Sequence, residues 1–192
     1  MNADKQAVLD AAVTLTGMRN LASLTKQMVE IVTSELHCSN WLEPDLTSQV
    51  FNVDCDDFRN GAVTLGVAFR KVWKVYVKTP RGVTACKLFS SLADYIESDA
   101  EAKAYQAGSS VTVSVAEAQT SIYIEGFKLI DVSDAGYDSW MERNYPGVVS
   151  QEVAARVLAS VGDNSAQIHR ANARQSYLRM VGGGVKILTP EA

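Results

Sequence analysis

Few side chains in this chain combine the type and the spacing that chemistry needs. His37 and Cys38 place a base next to a nucleophile, but successive helix positions point about 100° apart, so the pair does not face each other. His37 reads as a helix-end or surface histidine, and His169, beside Arg170, as part of a polar helix face. The stretch "DCDDFRNG" gathers Asp54, Asp56 and Asp57 and invites a calcium-loop reading. An EF-hand there would need a ligand at Phe58, a glycine at Arg59 and a glutamate at Leu65, and all three fail, leaving a solvated acidic turn. The glycine-rich phosphate loops, the GxSxG elbow and the HExxH helix are absent from the sequence. The expectation is no catalytic residue, no metal, no cofactor and no enzyme.

Charge and tail composition are more informative. Between Asp163 and Glu191 every ionised side chain is basic: Arg170, Arg174, Arg179 and Lys186. Arg170 and Arg174 stand four apart on one helix face, where they can pair with a partner's carboxylates or phosphates. They can equally complement the helix dipole and the acidic remainder of the chain. The tail "GGGVKILTPEA" sets three glycines before Val185, Lys186, Ile187 and Leu188. Fixing three glycines costs conformational entropy, which suits a hinge better than an internal connection. Beyond a hinge, "VKIL" can add a strand to a sheet edge or fill a neighbour's groove; otherwise the tail docks at home on the β-rich middle or simply waves.

The elements that must position these residues follow from periodicity. Val8, Ala11, Ala12 and Leu15 make one stripe ending at Gly17, and Leu21, Leu24, Met28, Ile31 and Glu35 make a second, an αα-hairpin. From about residue 47 to 132 β-branched residues dominate, and "FRKVWKVYVKTPRGVTACKLF" reads as strands around a turn. Within it Trp73, Val75 and Val77 point one way and Lys74 and Lys78 the other. "LADYIESDAEAKAY" is a short helix or irregular excursion, while "SSVTVSV" and "SIYIEGFKLI" supply further strands. Helical spacing returns with Val149, Val153, Val157 and Val161 behind Pro146. A last helix, capped by Asn164 or Ser165, has Ile168, Ala171, Leu178 and Val181 as its apolar side and stops at Gly182–Gly184.

These elements define an α+β chain: a helical bundle from the N- and C-terminal segments, a central antiparallel β insert and an extended C-terminal arm. The expected divisions are 1–46, 47–132, 133–181 and 182–192. The 192 residues, 47% hydrophobic and 21% charged, are globular in composition. Eighteen Lys and Arg against 22 Asp and Glu leave a net charge of −4, which argues against gripping phosphate backbones as the main task. Cys38, Cys55 and Cys86 are widely spaced with no CxxC pair, a pattern of a reducing cytosol. "MNADKQAVLDAAV" does not read as a secretion signal, and no apolar run approaches the roughly 18 residues that span a bilayer.

In "AVLDAAVTLTGMRNLASLTKQMVEIVTSELHCSNW" and "VVSQEVAARVLASVGDNSAQIHRANARQSYLRMV" with its following tail, the chain resembles the head-to-tail adaptor proteins of tailed bacteriophages. In short-tailed phages these connectors are also called tail tubular proteins. The likeness is one of texture and covers most of the chain in order and length. It implies a homo-oligomeric ring, often a dodecamer, bound to the portal protein above and a downstream tail or nozzle protein below. DNA would pass through without specific binding, and the protein would be made in the host cytoplasm and reside in the virion neck or tail. On this reading Arg170, Arg174, Arg179, Val185, Lys186, Ile187 and Leu188 are the partner-binding residues. Another neck or tail-terminator protein is the nearest alternative, and a small cytosolic enzyme or nucleic-acid-binding module the more distant one.

Overall fold

The computed structural model describes residues 2–53, 61–79, 81–116, 121–131 and 137–189. Among them the helices are α1 (Ala3–Thr16), α2 (Ala22–Cys38), α3 (Leu92–Glu97), α4 (Trp140–Asn144), α5 (Pro146–Ser160) and α6 (Ala166–Gly182). The strands are β1 (Leu46–Asn52), β2 (Ala62–Gly66), β3 (Phe69–Thr79), β4 (Gly82–Ala85), β5 (Lys87–Phe89), β6 (Ala102–Ala107), β7 (Ser110–Val115) and β8 (Ser121–Lys128). The protein is α+β. It divides into two compact units, Met1–Pro44 with Ile130–Leu188, and Asp45–Leu129 with Thr189–Ala192. No helix among the described residues is long and apolar enough to cross a membrane.

In the helical unit α5 packs against α1, α2, α4 and α6. Its Val149, Val153, Ala154, Ala155 and Val157 are fully buried, and Val148 and Leu158 nearly so, so apolar residues face inward around most of its circumference, as suits a central helix. Val161, the last member of the expected stripe, is exposed. Pro146 occupies the start of α5, where a missing N–H costs nothing. At α1 the Asn2 side chain accepts a hydrogen bond from the Lys5 N–H at 2.8 Å, and Gly17 closes the helix at φ 66°.

Two helical faces differ from their expected orientation. On α2 the buried residues are Thr25, Val29, Val32, Thr33 and His37, while Ile31 is exposed. The inward face is turned by about one position: the Thr25 hydroxyl donates to the Leu21 carbonyl four residues back, and Thr33 and His37 are held by tertiary hydrogen bonds that apolar periodicity does not register. On α6 the buried residues are Ala166, Ala173 and Met180. Ile168 and Leu178, expected inside, are 63% and 60% exposed. Alanines seven apart let α6 approach α5 closely, and closeness of packing outweighs the size of the apolar side chains opposite.

The β unit holds two four-stranded sheets, ordered β1-β8-β3-β4 and β2-β7-β6-β5. Every pairing is antiparallel except β5 with β6, which run parallel. "AKAY", expected as part of the helical excursion, belongs to β6. Both sheets feed one apolar cluster that includes Val72, Val75, Val77, Ile122 and Ile124 from the first and Val63, Ala104, Val111 and Val113 from the second.

Register shifts between Phe69 and Lys71 and between Val72 and Lys74 interrupt the alternation of β3. The buried residue there is Val72, and Trp73, expected to share the face of Val75 and Val77, is half-buried against the Phe127 ring. Gln106 serves the irregular backbone: its amide oxygen accepts from the Val72 N–H at 2.7 Å, and its amide nitrogen donates to the Phe69 carbonyl at 3.3 Å. Opposite the bulge stands Gly126, where a Cβ would lie 2.7 Å from Phe69 Cγ and 2.8 Å from the Lys71 carbonyl oxygen. Only glycine fits that approach.

Candidate partner interface

The residues with the strongest claim to a partner lie on α6 and just beyond it. Asp163 prepares the helix start: its carboxylate accepts from the Ser165 N–H at 2.8 Å and from the Ser165 hydroxyl at 2.7 Å. Those bonds hold the Asp163 pKa below its ordinary value. They also make Asp163, rather than Asn164 or Ser165, the residue whose side chain organises this turn. His169 Nδ1 lies 2.7 Å from Gln151 Oε1 and ties α6 to α5, so it is a structural member of the polar face.

Arg170, Arg174 and Arg179 are exposed, and no carboxylate among the described residues forms an ion pair with them. Of the three only Arg179 lies in the last turn of α6. The helix-dipole explanation therefore fits Arg179 alone, since that attraction fades beyond the terminal turn. Arg170 and Arg174 border two shallow depressions. One, of about 270 Å³, is shared with Leu36, Val148, Glu152 and Tyr177; the other runs along α6 past Ala171 and Leu178. The Tyr177 hydroxyl is buried there with no hydrogen-bond partner among the described residues, and burial raises its pKa.

The tail as far as Leu188 is seated at home on the helical unit, while Thr189 falls to the β unit. Gly183 donates to the Arg179 carbonyl at 2.8 Å, and Gly184 takes φ 114°, a conformation that favours glycine. Val185 is 9% exposed and packs into the cluster containing Val8, Val29, Leu42 and Met180. The Lys186 carbonyl then accepts from the Glu43 N–H at 2.9 Å, Ile187 forms an antiparallel bridge with Leu42, and the Leu188 N–H donates to the Trp41 carbonyl at 2.7 Å. Lys186 Nζ stands 3.5 Å from Glu43 Oε1 in an exposed pair. Of the four tail positions expected at a partner, Val185 faces the core, while Lys186 and Ile187 face outward.

The remaining candidates sort themselves by burial. His37, read as a helix-end or surface residue, does end α2 but is fully buried. Its Nε2 lies 2.9 Å from Ser139 Oγ, and the Tyr137 and Trp140 rings meet it edge-on. Cys38 beside it is exposed, in keeping with the expected divergence of the pair. Ser139 Oγ also accepts from the Glu142 N–H at 3.2 Å, and the Thr33 hydroxyl donates to Glu142 Oε1 at 2.6 Å. Serine, histidine and glutamate are the residue types of a nucleophilic triad, but burial of all three closes them to any substrate. They join α2 to α4, and burial lifts the Glu142 pKa above its ordinary 4.5. Sequence reasoning passed over Thr33, Ser139 and Glu142; the one local signal was serine three residues before glutamate, a capping pattern.

In the β unit Cys86 borders a cavity of about 440 Å³ with Trp73, Tyr76 and Lys87. Burial pushes its thiol up to about 12, so it is no nucleophile at neutral pH. Asp54, Asp56 and Asp57, with Cys55 between them, lie outside the described residues. Among the described residues no group of three His, Cys, Asp or Glu is arranged to hold a metal ion. No protein-family model and no curated protein matches the chain.

Proposed function

We propose that this chain is a structural subunit of a phage virion, a ring-forming head-to-tail adaptor that joins the portal protein to the downstream tail or nozzle protein. The observation that carries this reading is the seat of the tail. Residues 186–188 rest on residues 41–43 through two backbone hydrogen bonds, which together make the Leu42–Ile187 bridge, and one exposed ion pair, behind a glycine in a left-handed conformation. Such a contact is small enough to exchange, and the same segment can serve as an extended arm that pairs with a neighbouring chain. Val185 anchors the base of the arm in the helical core, so the movable part begins at Lys186. The helical segments form the bundle of the ring wall, and the outward Arg170 and Arg174 add a charged surface beside the arm. About a dozen chains of charge −4 around a channel would repel DNA and let it slide.

Mass photometry and negative-stain imaging of the full chain, with and without the portal protein of its own phage, test the proposal. The expected result is a closed ring, or a ring on the portal, formed by the full chain and lost from a chain ending at Val185 that remains folded. A full chain that stays monomeric and recruits no portal refutes the adaptor function. Assembly that is indifferent to the loss of residues 186–192 removes the arm from it.

A further inference from the structure

Two exposed surfaces in different units of the chain complement each other. On α6, Ile168, Ala171, Gln175 and Leu178 step by three and four residues along one outward line about 15 Å long. Its two large apolar side chains are 63% and 60% exposed. Arg170 and Arg174 flank the line, and residues 166–182 contain three arginines and no carboxylate. On α3, Leu92 and Ile96 stand four apart and are 51% and 67% exposed. Asp94 and Glu97 share that short helix and Asp99 and Glu101 follow it, with no Lys or Arg in residues 92–101. Tyr95, on the inward side of α3, is buried against the rings of Phe89 and Tyr105, which fixes the helix and leaves its apolar pair displayed.

We propose that the α6 face of one copy docks on the α3 face of a second copy of this chain. Each surface offers an apolar strip that is exposed among the described residues, and the two are rimmed by charge of opposite sign. An acidic chain of net charge −4 opposes its own association except where it presents a basic surface, and α6 is such a surface. Two apolar strips meeting between arginines and carboxylates bury area and set register together. The pairing is heterologous, because the two faces differ, so a joined pair keeps one free α6 on one copy and one free α3 on the other, and the contact repeats until it closes or runs on. Duplex DNA suits α6 less well, since the arginines border exposed isoleucine and leucine and the chain as a whole is acidic. The inference deepens the ring proposed above and rests on that reading only for closure.

Complementation tests it with the full chain. Ile168→Asp with Leu178→Asp blocks the α6 face, and Leu92→Asp with Ile96→Asp blocks the α3 face. In sedimentation velocity the unmodified chain is expected to associate with rising concentration and to lose association with added salt. Each double variant alone is expected to sediment as a monomer. An equimolar mixture is expected to form a dimer, because the pair still holds one intact α6 and one intact α3. A variant that had merely misfolded could not complement the other. An unmodified chain that is monomeric up to its solubility limit overturns the proposal, and so do oligomers that survive in either variant or variants that fail to complement. Salt-dependent binding of duplex DNA that is lost with Arg170→Glu and Arg174→Glu, without self-association, overturns it in favour of a nucleic-acid surface. Association through both faces into open chains leaves the contact standing and refutes the ring.

Discussion

Cutting the chain at two points a few residues apart separates anchoring from pairing in the tail. Ending the chain at Val185 removes the bonds from Glu43 to Lys186 and from Leu188 to Trp41, together with the exposed pair of Lys186 with Glu43. Two backbone bonds contribute about 1 kcal/mol each net, and an exposed ion pair at most about 1 kcal/mol. Releasing residues 186–188 recovers about 1–2 kcal/mol of backbone entropy per residue, so the net loss should be below about 1 kcal/mol. Ending the chain at Val181 also removes Val185 from the helical core and the N–H groups of Gly183 and Gly184 that close α6. Burial of one valine is worth about 1.5–3 kcal/mol, and the lost helix-end bonds bring the expected cost to about 2–4 kcal/mol. Urea unfolding followed by far-ultraviolet circular dichroism reads both values, because the helices dominate that signal. Equal destabilisation by the two truncations would refute the assignment of anchoring to Val185. It would also make the strand contact too strong to exchange, and the arm with it.

Two further predictions follow from named contacts. Burial raises the folded pKa of Glu142 above 4.5, so the unfolded chain releases this proton first as pH rises. The stability associated with neutral Glu142 is therefore complete below about pH 4.5 and is lost as pH climbs through the raised folded value. Glu142→Gln should remove that dependence, flattening the stability profile above pH 4.5 by at most about 1.4 kcal/mol per pH unit. Parallel profiles for the two proteins would refute the burial argument. In the β unit, Gly126→Ala should cost about 1–3 kcal/mol or more, because its Cβ meets Phe69 and the Lys71 carbonyl at the bulge. Gly66→Ala, which enters open space, should stay within about 0.5 kcal/mol, and thermal melts of the pair decide the matter.

Much of the architecture was legible from residue order alone. The glycine at position 17, the proline at 146 and the glycines from 182 bound their helices where their backbone chemistry requires. The β-branched density of the middle points to strands, and the strands β1 to β8 lie between Leu46 and Lys128, because that density is a local property that tertiary contacts seldom reverse. Helix orientation was less legible. On α6 the apolar count favoured Ile168 and Leu178, but the packed side belongs to Ala166, Ala173 and Met180, since approach distance depends on small residues that carry little hydropathy. His37 was misplaced for a related reason: its burial depends on Ser139, about a hundred residues away in sequence, which no local pattern reports.

The sequence by itself determined most of the elements and their order, though not the strand β6, together with the acidic balance of the whole chain and the basic character of its last helix, because each is a sum over neighbouring residues. The tertiary structure alone decided which faces those elements turn outward. It buried Glu142 beside Thr33, placed Val185 in the core and laid the next three residues along 41–43. It also left the apolar strips of α6 and α3 uncovered. The physical reason is that burial is a competition among all surfaces of a chain for a limited interior. Close packing and satisfied hydrogen bonds decide that competition, and both depend on partners far away in sequence.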